Sequence, residues 1–317
     1  MNILITSAGR RVELVKEFKE KLESLSPQSL VFTTDLCPDY AAACHVSDGS
    51  FLAPSVTDPS YPEFLVDLCL SEKISLIIPT IDSELQVLAD MKAVFAKKNI
   101  LIISCSSEFV SRCIDKRKTY LLFDEFGIHY PAVYSLDDLT FPVFCKPYDG
   151  SCSIGAKLIN SPEGLTNDLL HDEKNMFMEF VGSNFSEYTC DAYYDRNSDL
   201  KCVVPRERVE VRAGEVSKGV TRKNYIYQYL LDRIRKVPGA FGCVTYQLFG
   251  NPITEEVKAL EINPRFGGGY PLTSAAGYSF AEFLIREYLL GEGIDFVEDW
   301  SDGLVMLRYD AKILTNG

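Results

Sequence analysis

The sequence predicts an α/β unit with a parallel sheet, followed by an α+β unit. Up to Ser104, short apolar runs alternate with segments in which apolar residues recur at helical spacing. This alternation is typical of parallel strands joined by crossover helices. Beyond Ser104, the apolar runs follow one another as hairpin-like pairs separated by polar, glycine-bearing links. The second pattern indicates antiparallel strands.

The first unit is expected to present its ligand-binding edge at the carboxyl ends of its strands. Three polar stretches fall there, namely residues 7–10, Asp35 and residues 80–84. The predicted strands are 2–6, 30–34, 74–79 and 100–104, and the predicted helices are 12–25, 61–72 and 84–97.

The second unit is expected to begin with a helix at residues 116–126. Strands 141–146 and 154–159 are joined by a polar link that contains Gly150, which indicates an antiparallel pair with a mobile connection. The later predicted strands are 176–181, 187–194, 202–212, 242–249 and 257–262, with helices at 225–237 and 280–290.

The composition argues against several classes of partner and location. Lys and Arg total 32 against 45 Asp and Glu, a net charge of −13, which disfavours nucleic acid and anionic membranes as partners. The sequence has no apolar run approaching the roughly 18 residues of a membrane span and no signal peptide pattern, so we expect a cytoplasmic protein. Its 10 cysteines are scattered without a C-x-x-C pair, and we expect free thiols.

The segment 260–270 carries the most informative group of polar side chains. On a strand, Glu261 and Asn263 project to the same face, and Arg265 follows them. Two oxygen-bearing side chains beside an arginine suit a magnesium ion and the phosphates that it bridges. An amphipathic strand that ends at a turn has the same spacing, and the spacing alone leaves both interpretations open.

Two further elements precede this segment. Lys146 ends an apolar strand and is followed by a link that runs to Gly155, so its ammonium and the backbone N–H groups form a candidate phosphate cradle. Residues 178–182 form a strand that ends in a glycine turn, where backbone groups can meet an adenine edge. Downstream, Glu187 can accept hydrogen bonds from ribose hydroxyls. Simple hairpins explain each element taken alone.

Together and in this order, the three elements resemble the ATP-grasp superfamily of ligases over nearly the whole chain. The stretch Asp-Lys-Arg-Lys-Thr at 115–119 resembles the segment that opens the nucleotide-binding region of that family. The resemblance implies an N-terminal parallel-sheet pre-ATP-grasp α/β domain at 1–110, followed by an ATP-grasp domain of two α+β subdomains at 111–317. These would be a nucleotide-lid subdomain at about 111–180 and a metal and substrate subdomain at about 181–317.

The resemblance also implies roles for individual residues. Lys116 and Lys146 would contact the phosphates of ATP, and Arg265 would stabilise the transferred phosphoryl group. The other implied residues bind nucleotide or metal: Gly150, Ser151, Ser153 and Gly155 in the lid, Glu179, Phe180 and Val181 at the adenine, Glu187 at the ribose, and Gln247, Glu261 and Asn263 at the metal. The implied cofactors are ATP and Mg²⁺, with Mn²⁺ as an alternative metal.

The likeness is nearest to a single synthetase module of the carbamoyl phosphate synthase large subunit, where a glutamine also takes the first metal position. Many other members have an acidic residue there, and loss of one anionic ligand weakens metal binding. Gln247 therefore leaves the number of metal ions open. Carbamoyl phosphate synthesis itself is not expected, because that subunit carries two modules and further domains, and this chain has room for one.

An acceptor site is predicted on the strand-like run 205–212. Arg206, Arg208 and Arg212 alternate along it and would share one face. Such a face can bind an anionic substrate or the transferred phosphate, which makes Arg206 and Arg208 catalytic candidates. A salt-bridged surface ladder has the same spacing.

Two other places are candidates for binding the acceptor. The turn of Gly9, Arg10 and Arg11 at a helix start is a second candidate anion site. Asp82 and Glu84 are candidates to face an amine, although helix capping also explains Asp82.

The expected activity is phosphorylation of a carboxylate by Mg-ATP, followed by transfer of the acyl group to an amine or similar nucleophile. The partners would be small-molecule substrates, with no nucleic acid and no membrane, and a homodimer is allowed. A dinucleotide-binding oxidoreductase is the alternative, argued from Asp35, although residues 7–11 supply one glycine where the G-x-G-x-x-G fingerprint needs three. A nucleotide-binding regulator without turnover is the third class.

Overall fold

The N-terminal part of the chain forms the predicted parallel sheet. The computed structural model describes residues 1–150, 154–212 and 214–315. The strands are β1 (Asn2–Ile5), β2 (Val31–Asp35), β3 (Gly49–Leu52), β4 (Ile74–Ile78) and β5 (Leu101–Ile102), and the helices are α1 (Val12–Leu25), α2 (Tyr61–Ser71) and α3 (Asp82–Ala96). The spatial order is β3-β2-β1-β4-β5. The predicted α/β unit is confirmed, with β3 as an additional edge strand.

A second, antiparallel sheet follows two helices. Its core side chains include Val143, Cys145 and Phe177, and the strand order is β6-β9-β7-β8. The elements are α4 (Ser107–Ile114), α5 (Lys116–Glu125), β6 (Val133–Tyr134), β7 (Val143–Pro147), β8 (Lys157–Ile159), α6 (Asn167–His171) and β9 (Asn175–Glu179). The predicted hairpin of β7 and β8 is present, and β9 pairs with the other edge of β7.

The third sheet is the largest, with strand order β14-β13-β10-β11-β12-β15. Its strands are β10 (Ser186–Tyr194), β11 (Leu200–Arg212), β12 (Glu215–Thr221), β13 (Gly242–Gly250), β14 (Val257–Asn263) and β15 (Val305–Leu307). Its helices are α7 (Tyr225–Leu231), α8 (Tyr270–Ala275) and α9 (Phe280–Leu284), which continues as a π-helical turn at Ile285–Leu289. The α+β prediction is confirmed, and the domain boundaries at residues 110 and 180 stay predictions.

The helix predicted at 225–237 was too long, because α7 ends at Leu231. Beyond it the chain turns back to pair with the start of β11. The N–H of Leu200 donates to the carbonyl of Arg235 over 2.9 Å, and Asp199 forms a bridge with Lys236. Tertiary pairing thus overrides the local helical pattern.

The first and third sheets share one hydrophobic core, which fixes their relative position. The rings of Phe18 on α1 and Phe266 lie edge to face at 6.2 Å. The Glu17 carboxylate accepts hydrogen bonds from the Tyr270 hydroxyl over 2.9 Å and the Ser274 hydroxyl over 2.7 Å. The carboxyl edge of the first sheet is therefore held against the loop that follows β14.

Two further observations bear on the sequence expectations. The nine described cysteines are free, and all but Cys37 are buried, as expected for thiols that pack in a core. Within the described part of the chain, every helix is too short or too polar to cross a membrane.

Candidate active site

Two lysines from different elements converge at the centre of the site. Lys116 begins α5 after Asp115, whose side chain caps the helix by accepting the N–H of Arg117 over 3.0 Å. The Lys116 ammonium is buried, donates to the carbonyl of Gly150 and lies 4.0 Å from a Glu261 carboxylate oxygen. On β7, Cys145 points into the core and Lys146 points to the opposite face.

The Lys116 ammonium acts on the charge of Lys146. Burial and the nearby Lys116 ammonium lower the pKa of Lys146 to about 8, and the Glu261 carboxylate partly opposes this shift. A buried lysine beside a second cation is unfavourable unless further negative charge is present. The predicted convergence of both lysines with Glu261 is therefore present, and the pair forms a local positive centre in an otherwise acidic protein.

Three oxygen-bearing side chains lie together beside these lysines. Gln247 on β13 is directly opposite Glu261 on β14, and the Asn263 side-chain amide donates to the Glu261 carboxylate over 3.0 Å. The amide nitrogen of Gln247 donates to Glu187. Because both amide N–H₂ groups are turned to carboxylates, both amide oxygens are left as acceptors, which fits a hard cation such as Mg²⁺.

This set of donors carries a single carboxylate. Among the described residues, three or more His, Cys, Asp or Glu side chains do not converge at any point. Glu261 would supply the anionic oxygen, while Gln247 and Asn263 would supply neutral ones. A cation held this way would depend strongly on the phosphates of a bound nucleotide for further ligands.

Glu187 lies beside this group instead of standing alone as a ribose acceptor. One of its carboxylate oxygens accepts from Gln247 and lies 3.4 Å from the Arg208 guanidinium. Burial raises the pKa of Glu187, and Arg208 and the Gln247 hydrogen bond oppose the rise. Its predicted contact with ribose stays a prediction, and its observed partners are Gln247 and Arg208.

Arg265 joins the third sheet to the edge of the first. Its guanidinium makes a bidentate ion pair with Asp82, with N–O distances of 2.7 and 2.6 Å. It also donates to the carbonyl of Phe266 over 3.2 Å. Because Asp82 is engaged with Arg265 and begins α3 without acting as its N-cap, its predicted contact with an amine stays a prediction.

The prediction that Glu84 faces an amine is wrong. Its carboxylate is fully buried and accepts hydrogen bonds from the N–H of Thr80 over 2.7 Å, the Ser7 hydroxyl over 2.9 Å and the Tyr61 hydroxyl over 3.2 Å. Burial raises the pKa of Glu84. Glu84 is therefore a buried acceptor that holds together the turns at the carboxyl edge of the first sheet.

Arg206 also has a structural position. It is 1% exposed, and its guanidinium makes two 3.0 Å hydrogen bonds to the Asp191 carboxylate. Asp191 accepts two more, from Thr245 over 3.0 Å and Thr273 over 2.7 Å. A guanidinium enclosed in this way is out of reach of a substrate, so we withdraw the catalytic role predicted for Arg206.

The expected one-sided arginine face is interrupted after Arg208. The pairing of β11 with β12 shifts register on both sides of Glu210, and a bulge of this kind breaks the alternation of side chains. Arg212 lies beyond the bulge and is exposed. Of the three arginines, Arg208 reaches the site through Glu187.

The glycine run at 267–269 permits close approaches that sequence reasoning missed. A Cβ atom on Gly268 would lie 1.8 Å from a Glu215 carboxylate oxygen, and one on Gly269 would lie 2.2 Å from an Arg206 nitrogen. Glu215 thereby reaches the site from β12, a strand that was not predicted. Three successive glycines after a strand were the signal that an approach of this kind was needed.

The lid and the predicted adenine contacts are described in part. Gly150 and Gly155 lie within the described residues, whereas Ser151 and Ser153 lie outside them. Asp149 is a described residue of the link, and its carboxylate lies 2.6 Å from the Lys174 ammonium.

The connection from β9 to β10 contains the three residues predicted at the adenine. The Glu179 carboxylate pairs with Lys258 and accepts the N–H of Ala132 over 3.2 Å. Phe180 is partly exposed, and Val181 is half-buried. The carboxylate of Glu179 is thus held by protein groups, and adenine contacts at these three residues stay predictions.

The first domain offers little for the oxidoreductase alternative. The two oxygens of Asp35 accept the N–H groups of Gly9 over 2.9 Å and Cys37 over 3.1 Å. Asp35 therefore ties together the turns at the end of β1 and β2. This engagement of both oxygens explains Asp35 without a ribose ligand.

Comparisons with known proteins follow the same division of the chain. Residues 3–103 match the family model "PylC-like, N-terminal domain". The vancomycin/teicoplanin A-type resistance protein VanA of Enterococcus faecium is 32% identical over 83 residues, or 24% of this chain. That match spans 24% of VanA, so the chain covers about a quarter of this curated relative.

Solved structures cover nearly the whole chain. The biotin carboxylase domain dimer of Hydrogenobacter thermophilus 2-oxoglutarate carboxylase, with MgADP, ADP and bicarbonate, has a TM-score of 0.74 at 16% identity, covering 96% of this chain and 73% of that one. Biotin carboxylase from Campylobacter jejuni has a TM-score of 0.75 at 15% identity, covering 96% of this chain and 74% of that one. N5-carboxyaminoimidazole synthetase from Staphylococcus aureus with ADP has a TM-score of 0.69 at 16% identity, covering 90% of this chain and 76% of that one.

These structures share the arrangement of sheets in this chain, and all of them are ATP-grasp enzymes. The predicted pre-ATP-grasp domain and ATP-grasp domain are therefore confirmed as the fold. By its fold, the chain is similar to these ATP-grasp enzymes.

Proposed function

We propose that this protein is an ADP-forming ligase that phosphorylates a carboxylate with Mg-ATP and transfers the acyl group to an amine or similar nucleophile. The observation that carries the proposal is the convergence of Lys116, Lys146 and Glu261 from three separate elements, with Gln247 and Asn263 completing the group. One buried cation, Lys116, and one half-buried cation, Lys146, beside an oxygen-rich strand pair suit a triphosphate.

Each residue has a definable role in the first step. In that step a substrate carboxylate oxygen attacks the γ-phosphorus, the bond to the β–γ bridging oxygen breaks, and ADP leaves. Lys116 and Lys146 offset the repulsion between the two anions, and Arg265, fixed by Asp82, balances charge on the transferred group. Magnesium, when bound at Glu261, would supply Lewis-acid stabilisation of the phosphate oxygens.

In the second step, the amine attacks the acyl carbon, phosphate leaves, and the nitrogen loses a proton. An acyl phosphate hydrolyses in water, so the link at 150–155 would exclude solvent by closing over the site. The carbonyl of Gly150 already contacts the Lys116 ammonium, which supports closure on that side. We further propose a homodimer, because one structural relative is a dimer.

The test is ADP and phosphate release with Mg-ATP and a panel of paired carboxylates and amines. ADP that appears only with a matching pair supports the ligase. The variant Glu261→Gln should lower turnover at least about 100-fold while circular dichroism stays unchanged. Glu256→Gln is the control, because Glu256 is exposed, immediately precedes the same strand and pairs with Lys258 at 3.2 Å.

Two outcomes would contradict the proposed function. Nicotinamide dinucleotide binding without ATP binding would favour the oxidoreductase. Equal loss of activity in Glu261→Gln and Glu256→Gln, or unfolding of the former, would assign Glu261 a structural role.

A further inference from the structure

Arg11 is a partly buried cation for which the described residues supply no counter-ion. Its guanidinium donates to the backbone carbonyl of Thr80 over 3.3 Å. Among the residues that the structure describes, no carboxylate lies within ion-pair distance of it. Burial and the nearby Arg265 lower the pKa of Arg11, and the more distant Glu215 and Asp82 carboxylates partly oppose this shift.

The acidic groups around Arg11 are already engaged. Asp82 is paired with Arg265 through both of its oxygens. Glu215, which reaches the site over Gly268, lies 3.2 Å from the Arg308 guanidinium. The described side chains here thus form two ion pairs, and the Arg11 guanidinium is additional to them. Its positive charge is left for a ligand to balance.

The position of Arg11 relates this charge to the reaction centre. Arg265 lies two residues beyond Asn263 and reaches across to Asp82, and Arg11 contacts Thr80, two residues before Asp82. Arg11 therefore lies near the Arg265–Asp82 ion pair, which joins the first sheet to the strand that carries the proposed metal ligands. A group bound by Arg11 would lie beside this ion pair, at the carboxyl edge of the first sheet.

Resting on the proposed ligase function, we propose that Arg11 binds a carboxylate of the acceptor substrate that does not itself react. A guanidinium presents parallel N–H donors that match the two oxygens of a carboxylate. Because one donor of Arg11 is used by Thr80, its remaining N–H groups are available for a ligand. The acceptor class is therefore a small acid, such as an amino acid, bound by its carboxylate.

The principal test compares amino acids with their carboxamides as acceptors in the ADP-release assay. Wild-type protein should use the acid at least about 10-fold better than the amide. Arg11→Gln should raise KM for the acid about 10- to 100-fold with little change in kcat, and should leave the amide nearly unaffected. Arg11→Lys, which keeps the charge but loses the fork, should fall between them.

The control variant is Lys16→Gln, which removes one positive charge from the exposed face of the same helix. It should behave like wild type with both acceptors. An Arg11→Gln effect of equal size on acid and amide, or on kcat alone, would overturn the carboxylate contact.

A second experiment does not depend on turnover. Sodium sulfate, an oxyanion probe, is titrated at low ionic strength with Mg-ADP present to occupy the nucleotide site, and binding is followed by calorimetry. Saturable binding in wild type and Lys16→Gln that is lost in Arg11→Gln supports the anion site even if no panel substrate is turned over. Sulfate binding that is retained in Arg11→Gln, or that is absent from wild type, would overturn the proposed anion site. The ADP-release assay tests the ligase function separately.

Discussion

Replacing Lys146 with methionine should make the protein more stable and at the same time impair nucleotide binding. The pKa of Lys146 falls from the usual 10.5 to about 8, chiefly through burial and through the Lys116 ammonium. At about 1.4 kcal/mol per pH unit, this difference of 2.5 corresponds to about 3 kcal/mol of folded-state stability lost by keeping Lys146 charged. Methionine has a similar length and carries no charge.

The sign of the pH dependence follows from proton binding. Below pH 8, Lys146 is protonated in both the folded and the unfolded chain, so the full penalty applies. Between pH 8 and 10.5 the unfolded chain binds more protons at this site, and the contribution of Lys146 to stability rises with pH. The advantage of Lys146→Met should therefore be about 3 kcal/mol at pH 7 and should shrink toward zero near pH 10.5.

The assay is urea unfolding followed by circular dichroism at pH 7, 8, 9 and 10, with Mg-ADP affinity measured in parallel. Lys157→Met is the matched control, because Lys157 is exposed on the neighbouring strand and pairs with Cys145. Affinity for Mg-ADP should fall about 10- to 100-fold in Lys146→Met only. A stability difference that is independent of pH, or equal in the two variants, would refute the buried-cation reasoning.

Three further predictions concern the support of the site. Gly269→Ala should destabilise the protein by about 2–4 kcal/mol, because the new methyl group meets the fixed Arg206 guanidinium at 2.2 Å. Gly268→Ala should cost under about 1 kcal/mol, because the Glu215 carboxylate that its methyl group meets can move into solvent. Arg206→Leu should cost about 3–5 kcal/mol in urea unfolding by leaving Asp191 buried and unpaired, and Asp191→Asn in the same chain should recover part of it. Burial raises the pKa of Glu17. The free energy of unfolding of wild type should therefore fall relative to that of Glu17→Gln as pH rises above about 4. A difference in unfolding free energy that is independent of pH would contradict this.

The elements of this protein were largely readable from local patterns. Strands such as Asn2–Ile5 and Ile74–Ile78 are short apolar runs, and a helix such as Val12–Leu25 repeats its apolar residues every three to four positions. Each pattern reflects which side chains of a single segment are buried, so the sequence alone indicates the element. Edge strands such as Val305–Leu307 are exposed and carry a weaker pattern, and they were missed.

The candidate site divides in the same way. The order along the chain of Lys146 with its link, the strand 178–182 with Glu187, and the segment 260–270 sufficed to indicate the resemblance. Alternation on a strand sufficed to place Glu261 and Asn263 on one face. Spacing by twos also favoured Arg206 as a site residue, but it cannot show whether a guanidinium faces solvent or a buried carboxylate such as Asp191. That distinction depends on which distant strands become neighbours.

Composition, periodicity and motif order therefore determined the fold class and the outline of the candidate site. Only the tertiary structure decided that Arg206 is structural, that Glu84 is buried, that Glu215 enters over Gly268 and that Arg11 has no counter-ion among the residues described by the structure. The physical reason is that a charged side chain acquires its role from the charges, hydrogen bonds and water around it. Residues far apart in sequence supply those surroundings, and folding alone brings them together.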